Sequence, residues 1–179
     1  MNIGFDFDKI FIDYPPFIPN SIIDRLYKKK TNGKLLYRIP SKPEQFLRIL
    51  SHHPILRPVI SQNLELVRKK YKEGGNKHYL ISSRFSFLKK RTDRIIKKHN
   101  LSEIFDGIFF NFENKQPHIF KNEEIKKNKI ERYIDDDFPL IKFLSKENPK
   151  TKFYWLNKKQ QGKIINNLFA IKNISEIFK

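Results

Sequence analysis

The chain has no cysteine, one methionine and one tryptophan among its 179 residues. Without cysteine, disulfides and thiolate metal sites are excluded, and a reducing compartment such as the cytoplasm is expected. No apolar run approaches the ~20 residues that a membrane-spanning helix needs, and we see no secretory signal pattern. We therefore expect a cytoplasmic protein without membrane contacts. Its length suits one domain with a moderate core and a small insertion.

Acidic residues are also scarce. The chain has 19 Asp and Glu against 37 Lys and Arg, which gives a net charge of +18. Such a field attracts anions, so phosphorylated small molecules and nucleic acid are the candidate partners. A lysine-rich surface without a specific partner explains the same charge, because the basic residues are spread along the chain rather than gathered in blocks. Nothing in the sequence indicates the oligomeric state.

The few aspartates are concentrated in two short strings. Asp6 and Asp8 come at the end of an apolar run that starts near the N-terminus, and Asp135, Asp136 and Asp137 directly follow Tyr-Ile. Each apolar run is typical of a buried strand. Carboxylates gathered at strand ends repel one another unless a cation lies between them. Magnesium, which prefers oxygen ligands, is the cation that this pattern favours.

Strands and helices alternate along the chain, which predicts an α/β fold with a three-layer, Rossmann-like, mostly parallel sheet. We predict strands at 2–7, 78–82, 105–110, 132–134 and 152–156, with a short strand and helix closing the chain over 164–178. Predicted helices begin near residues 21, 41, 58, 85 and 138, and 122–128 is helix or loop. Residues 15–57 lack a strong strand. We therefore predict a core of 1–14 and 58–179 and a small helical cap, 15–57, inserted after the first strand and covering the carboxyl end of the sheet, where such folds bind ligands.

The spacing within each acidic string allows specific chemistry. The Asp6 carboxylate could bind a metal and attack an electrophile, while Asp8 could offer its backbone carbonyl to the metal and its side chain to proton transfer. The alternative is that Asp6 and Asp8 are loop residues that only terminate the strand, which would give the same spacing. The triplet 135–137 likewise fits either a metal site or a helix N-terminus before Phe138, where negative charge is favourable.

Polar groups between the two strings add a candidate anion site. Ser82 and Ser83 end an apolar strand, where hydroxyls and backbone amides can bind phosphate, and Arg84 could add a bidentate contact. The alternative is that Ser82 and Ser83 are turn residues and that Arg84 is a surface charge. Lys121 lies fourteen residues before Asp135, where its ammonium could neutralise a carboxylate and a bound phosphate together.

Taken in order, these segments resemble the four motifs of the haloacid dehalogenase superfamily, whose members mostly hydrolyse phosphate esters with an aspartate nucleophile and magnesium. The matching segments are 5–10, 79–82, Lys121 (with Lys126 and Lys127 as rivals) and 133–136. Ser82-Ser83-Arg84, Arg91-Thr92 and 105–111 also look like the small capped members related to 5′-nucleotidases. The resemblance spans residues 2 to about 156, and 171–178 looks like the family's closing helix.

The resemblance implies a role for each acidic residue. Asp6 would be the nucleophile and a metal ligand. Asp8 would be the general acid/base, with its backbone carbonyl also on the metal. Asp136 would be the third protein ligand, with Asp135 in support. The implied cofactor is Mg²⁺.

The resemblance also implies how substrate is held. Ser82, with its neighbours Ser83 and Arg84, would bind the phosphate, and Lys121 would offset charge on the nucleophile and the phosphoryl oxygens. The reaction would pass through an aspartyl-phosphate, which water then hydrolyses. One departure is that the family commonly has Gly-Thr or Gly-Val after the second aspartate, where this chain has Lys9-Ile10. We expect this change to alter the turn that leads to the cap.

The function that these features favour is a magnesium-dependent phosphatase for a small phosphomonoester, with nucleotides among the candidates. An alternative is a nucleic-acid-binding protein on the same scaffold, indicated by the +18 charge and the basic helix over 89–98. A phosphatase acting on nucleic-acid ends would combine the two. The sequence does not separate a hydrolase from a phosphotransferase, and the five histidines match no metal-binding spacing.

Overall fold

The structure is a computed structural model, and it describes residues 1–15, 28–29 and 35–179. The described strands are β1 (Asn2–Phe5), β2 (Lys28–Lys29), β3 (Leu36–Tyr37), β4 (Lys77–Ser82), β5 (Gly107–Phe110), β6 (Arg132–Asp135), β7 (Lys152–Leu156), β8 (Gly162–Ile165) and β9 (Leu168–Ile171). The described α-helices are α1 (Lys42–Ser51), α2 (Ser61–Glu73), α3 (Lys89–Lys98), α4 (Pro117–Lys127) and α5 (Phe138–Glu147). Among these residues, no helix combines the length and apolarity that crossing a bilayer requires.

One sheet carries the predicted site. Its seven strands lie in the order β5-β4-β1-β6-β7-β9-β8, and every neighbouring pair is parallel except β8 and β9. In register, Phe5 of β1 lies between Leu80 of β4 and Ile134 of β6. The carboxyl ends of these three strands therefore meet at one edge. The predicted α/β class with a mostly parallel sheet is confirmed.

Helices cover the sheet on both faces. One apolar cluster joins Phe5 to Val67 of α2 and Ile95 of α3, and the other gathers around Tyr133 with α4 and α5. Tyr133 packs across β1 because residue 4 is glycine: a Cβ there would lie 2.7 Å from Tyr133 Cδ2. This close approach sets the Tyr133 ring directly beneath the acidic end of β6.

The chain leaves the core after β1 and returns to it just before α2. Ile12 and Val59 form an antiparallel bridge, flanked by Asp13 N–H donating to Pro58 O and Ile60 N–H donating to Phe11 O, both at 2.8 Å. These bonds join the two ends of the predicted cap, of which the structure describes the β2–β3 pair and α1. That 15–57 is a separate cap stays a prediction.

Helix α1 begins as predicted, with a capping box between Ser41 and Glu44. Its apolar residues share a face, but that face is exposed: Phe46 and Leu47 are 62% and 64% accessible. The opposite face buries Arg48 and ends at the buried His52. The helix therefore turns polar groups, rather than its apolar ones, toward the core.

Three sequence predictions of secondary structure are corrected. The helix predicted from Ser21 to about Lys30 lies largely outside the described residues, but its end is wrong because Lys28–Lys29 pair with β3. Helix α4 begins earlier than predicted, at Pro117, which suits the first helical position because it has no N–H to satisfy. The closing helix expected over 171–178 is shorter than predicted and of the 3₁₀ type: β9 ends at Ile171, and the 3₁₀ helix covers Ile174–Phe178.

Candidate active site

Both acidic strings contribute to one cluster at the carboxyl end of the sheet. Asp6, Asp135 and Asp136 each present a carboxylate oxygen within 4.8 Å of the others. The segments that carry them are joined by backbone, since Asp6 N–H donates to Ile134 O at 2.9 Å. The structure thus brings together groups that lie more than a hundred residues apart in the sequence, as the strand order requires.

Lys121 joins two of these carboxylates. Its Nζ donates to Asp6 Oδ1 and to Asp135 Oδ2, both at 2.7 Å, and the residue is buried on α4. Burial would lower the pKa of Lys121, but Asp135 and Asp6 raise it well above its ordinary value. The rival lysines 126 and 127 are exposed on the same helix. Of the three, only Lys121 lies in the site.

One ammonium does not balance three carboxylates. Burial raises the pKa of Asp6 to about 7 against the opposing effect of Lys121, with repulsion from Asp135 and Asp8 adding to the rise. Burial and the neighbouring Asp135 raise the pKa of Asp136 well above its ordinary value. The Asp136 carboxylate accepts no hydrogen bond from the described residues. An all-oxygen set with excess negative charge fits a divalent cation such as magnesium.

Neighbouring groups hold the β6 end of the cluster rigid. Asp135 Oδ1 accepts a hydrogen bond from Asp137 N–H at 3.0 Å, and Oδ2 lies 3.3 Å from the Tyr133 hydroxyl. Trp155 Nε1 donates to Asp136 O at 3.0 Å. From the segment predicted to be a cap, the Tyr37 hydroxyl donates to Asp137 Oδ2 at 2.7 Å. Protein groups thus hold the Asp135 carboxylate and the Asp136 backbone in place.

Asp8 faces different partners. Arg84 donates from Nε to Asp8 Oδ2 at 2.9 Å and from Nη2 to Oδ1 at 2.7 Å, and Arg57 also donates to Oδ1. Burial would raise the pKa of Asp8, but the two arginines hold it well below its ordinary value. The Asp8 side chain is therefore ionised and lies outside the group of three carboxylates. Its predicted metal contact through the backbone carbonyl stays a prediction.

The turn after Asp8 keeps a conformation that suits glycine. Lys9 has a φ of 64°, and the turn closes through Phe11 N–H donating to Phe7 O at 3.0 Å. Lys9 therefore adopts the left-handed backbone in spite of its side chain, at a cost of roughly 1–2 kcal/mol. Its Nζ lies 3.4 Å from Asp13 Oδ1 and 4.2 Å from the centre of the Tyr14 ring.

A cavity of ≈ 640 Å³ opens above these groups and includes the serines predicted to bind phosphate. Ser82 is buried, and Ser83 Oγ is a buried atom without a hydrogen-bond partner among the described residues. Arg84 also lines the cavity, but its guanidinium is directed to Asp8, so its contact with a phosphate stays a prediction. A buried hydroxyl without such a partner in the wall of a cavity is free to bond a ligand there.

Sequence reasoning missed the residues that the segment 15–57, the predicted cap, contributes to the site. Arg48 and His52 line the cavity, and the buried Arg57 reaches Asp8. The four-residue spacing of Arg48 and His52 on a predicted helix was a weak signal that both share a face. No sequence signal pointed to Arg57, because it is one of 37 Lys and Arg residues.

Comparison with solved structures supports the fold. A haloacid dehalogenase superfamily hydrolase from Ehrlichia chaffeensis aligns with a TM-score of 0.55 at 16% identity, covering 98% of this chain and 93% of that one. A family enzyme from Bacteroides thetaiotaomicron, an aspartate-to-alanine mutant in complex with magnesium and inorganic phosphate, aligns at 0.57 and 13%, covering 99% and 98%. An archaeal beta-phosphoglucomutase from Pyrococcus aligns at 0.54 and 13%, covering 98% and 93%.

These likenesses establish the class of fold. No protein-family model and no curated protein matches the chain. At identities of 13–16%, the similarity lies in the path of the backbone rather than in the sequence. The chain has the haloacid dehalogenase-like fold.

Proposed function

We propose that this protein is a magnesium-dependent phosphatase that hydrolyses a small phosphomonoester through an aspartyl-phosphate on Asp6. The observation that carries the proposal is the buried Asp6–Lys121–Asp135 bridge at the base of the cavity, with Asp136 completing the acidic cluster. A structural neighbour that was solved with magnesium and inorganic phosphate supports it. Nucleotides remain candidate substrates.

The residues divide the reaction into two steps. In the first, an Asp6 oxygen attacks phosphorus, the bond from phosphorus to the ester oxygen breaks, and the leaving oxygen takes the electron pair and a proton from water, because the ionised Asp8 carries none. In the second, water attacks phosphorus, Asp8 accepts the proton of that water, the bond from phosphorus to the Asp6 oxygen breaks, and the Asp6 carboxylate and phosphate are released. Asp8 then passes its proton to solvent. Lys121 offsets charge on Asp6, and Ser82 and Ser83 offer hydroxyls to the phosphoryl oxygens.

Asp6 and Asp136, with the backbone carbonyl of Asp8, would hold the magnesium ion. When bound, it would supply positive charge to the phosphoryl group that Asp6 attacks. Asp135 is committed to Lys121 and to the Asp137 amide. It therefore supports the site by orienting its neighbours.

Hydrolysis of p-nitrophenyl phosphate, with magnesium and with chelator, tests the proposal. We expect turnover with magnesium only, and we expect Asp6→Asn to lower kcat by at least about a thousandfold, as loss of a nucleophile does. The control is Asp93→Asn, which changes an exposed aspartate on α3 and should leave turnover intact. Wild-type turnover in the Asp6 variant would remove that residue from the role of nucleophile.

A phosphatase for nucleic-acid ends is a second candidate, because the basic helix α3 begins at the rim of the cavity. Phe85 and Leu88 line the cavity immediately before it, and the helix exposes Lys89, Lys90 and Arg94. Cations that follow a phosphate backbone make binding steeply dependent on salt. Faster turnover of an end-phosphorylated oligonucleotide than of a mononucleotide, with the difference lost at high salt, would favour this candidate.

A further inference from the structure

Asp8 receives hydrogen bonds from two separate parts of the protein. Arg84 belongs to the core: it follows β4, its Nη1 donates to the buried Thr92 Oγ1 at 3.3 Å, and its guanidinium lies 4.5 Å from the centre of the Phe7 ring. Arg57 lies at the end of the predicted cap, immediately before the Pro58 carbonyl that accepts from the Asp13 amide. The Asp8 carboxylate is therefore hydrogen-bonded both to the core, through Arg84, and to the predicted cap, through Arg57.

Arg57 is itself held by the last turn of the cap helix. Its Nη1 lies 3.0 Å from His52 Nε2, and His52 Nδ1 lies 2.7 Å from the carbonyl of Arg48. A carbonyl only accepts, so Nδ1 carries the hydrogen and Nε2 accepts from Arg57. The direction of each hydrogen bond follows: Arg57 donates to His52 on one side and to Asp8 on the other.

In this hydrogen-bonded series, His52 and Arg57 are buried from water, and the Asp8 carboxylate is partly exposed. Arg57 and His52 are 3% and 4% exposed, whereas the Asp8 side chain is 21% exposed. Buried charged hydrogen bonds of this kind are strong and directional. A shift of α1 relative to the core would therefore move Arg57 and change the hydrogen bond that Asp8 Oδ1 receives.

We propose that Arg57 and His52 are positioning residues that couple docking of cap helix α1 to the alignment of the Asp8 carboxylate. This inference rests on the proposed function for its catalytic consequence. Asp8 thus has two donors on Arg84, which the core holds in place, and a third on Arg57, whose position depends on α1. Asp8 is then aligned for proton transfer only while the helix lies against the core.

The test measures kcat and KM for Arg57→Met with p-nitrophenyl phosphate. The variant should fold, because Arg84 still neutralises the Asp8 carboxylate. We expect kcat to fall by up to about a hundredfold, the loss that accompanies misplacement of a reacting group, with little change in KM. Arg57→Ala, which leaves space for the ion, should recover part of the loss when guanidinium is added. The control is Lys42→Met, which changes an exposed residue on the same helix.

Variants of His52 test the hydrogen bond between His52 and Arg57. His52→Gln can still accept from Arg57 and donate to the Arg48 carbonyl, so it should retain most of the activity, whereas His52→Leu should resemble Arg57→Met. A rise in KM at unchanged kcat in the Arg57 variant would make Arg57 a substrate-binding residue and overturn the inference. A lowered melting temperature at unchanged kcat would also overturn it, by showing a purely structural role.

A crystal structure of Arg57→Met gives a readout that does not depend on turnover. The inference requires Asp8 Oδ1 to leave its wild-type position while the contacts of Arg84 with Thr92 and Phe7 remain. An unmoved Asp8 carboxylate overturns it. If Asp8 moves but the wild-type protein hydrolyses no phosphomonoester, the positional link stands and the proposed function fails.

Discussion

The ammonium of Lys121 lies 2.7 Å from Oδ1 of Asp6, although 115 positions separate the two residues. The same ammonium reaches Asp135 at 2.7 Å, so one buried cation spans the segments that follow β1 and β6. Removing a single partner from a buried charged group leaves the remaining charges uncompensated, which costs more than the pair contributed. The stability of the fold and the chemistry of the site therefore depend on one side chain.

Lys121→Met should destabilise the protein strongly. We expect a loss of about 3–5 kcal/mol in the free energy of unfolding, the usual cost of breaking a buried charged pair, measured by urea denaturation. Magnesium should restore part of that loss by neutralising the same carboxylates. The control is Lys126→Met, an exposed change on the same helix. Equal denaturation curves for the two variants would contradict the structural importance of the bridge.

Lys9 offers a test of backbone strain. Lys9→Gly should be more stable than Lys9→Ala by about 1 kcal/mol, because only glycine adopts a positive φ without steric cost. Both variants lose the same contacts with Asp13 and Tyr14, so their difference isolates the backbone. Thermal and urea denaturation would measure it. An alanine variant as stable as the glycine variant would show that the turn is not strained.

Magnesium binding should release protons at neutral pH. Because the pKa of Asp6 is raised to about 7, a substantial fraction of this carboxyl is protonated at pH 7, and a cation binds only the ionised form. Calorimetric titration in two buffers of different ionisation enthalpy should show proton release at pH 7 and almost none at pH 9. Heats that are independent of the buffer at pH 7 would contradict the raised pKa.

Asp8 should make stability sensitive to acid. Its pKa in the folded protein lies well below the ordinary value, so the unfolded chain takes up a proton first as pH falls. The contribution is present above about pH 4, the ordinary value for aspartate, and is lost as pH falls toward the folded value. Urea denaturation between pH 6 and pH 3 measures this.

Asp8→Asn provides the matched comparison. The variant should be less stable at pH 6, because Arg57 and Arg84 lose a charged partner. Its stability should fall less between pH 6 and pH 3 than that of the wild type. Parallel curves for the two proteins would show that Asp8 is not the group responsible.

Where the sequence carried an apolar run followed by charged or hydroxyl residues, the position of the strand end was predicted correctly. Asp6 follows β1, and β4 and β6 end at Ser82 and Asp135, and parallel strands place such ends at one edge. Lys121 was the lysine assigned by the family resemblance, and the structure places it between two carboxylates. Local pattern and strand order account for the strand ends of the site, and the resemblance accounts for Lys121.

The remaining features depend on tertiary contacts that have no local pattern. No local sequence pattern distinguishes Arg57 from the other cationic residues. It comes to lie beside Asp8 only through the fold, near the Ile12–Val59 bridge. The start near residue 41 predicted helix α1, but nothing in the sequence predicted that its apolar face would be exposed. At the C-terminal end, one short strand was predicted before the closing helix, whereas two are present, because 168–171 pairs both with β7 and with β8; this long-range pairing has no local pattern.

The central place of β1 in the sheet has a consequence for how the molecule assembles. Its neighbours, β4 and β6, pair with it only after Lys77 and Arg132 have been synthesised. Loop closures of this length slow folding, and until then the first strand has both edges unpaired and prone to aggregation. During synthesis on the ribosome, Asp6 and Asp8 are therefore made long before Lys121 and Arg84, the residues that neutralise them.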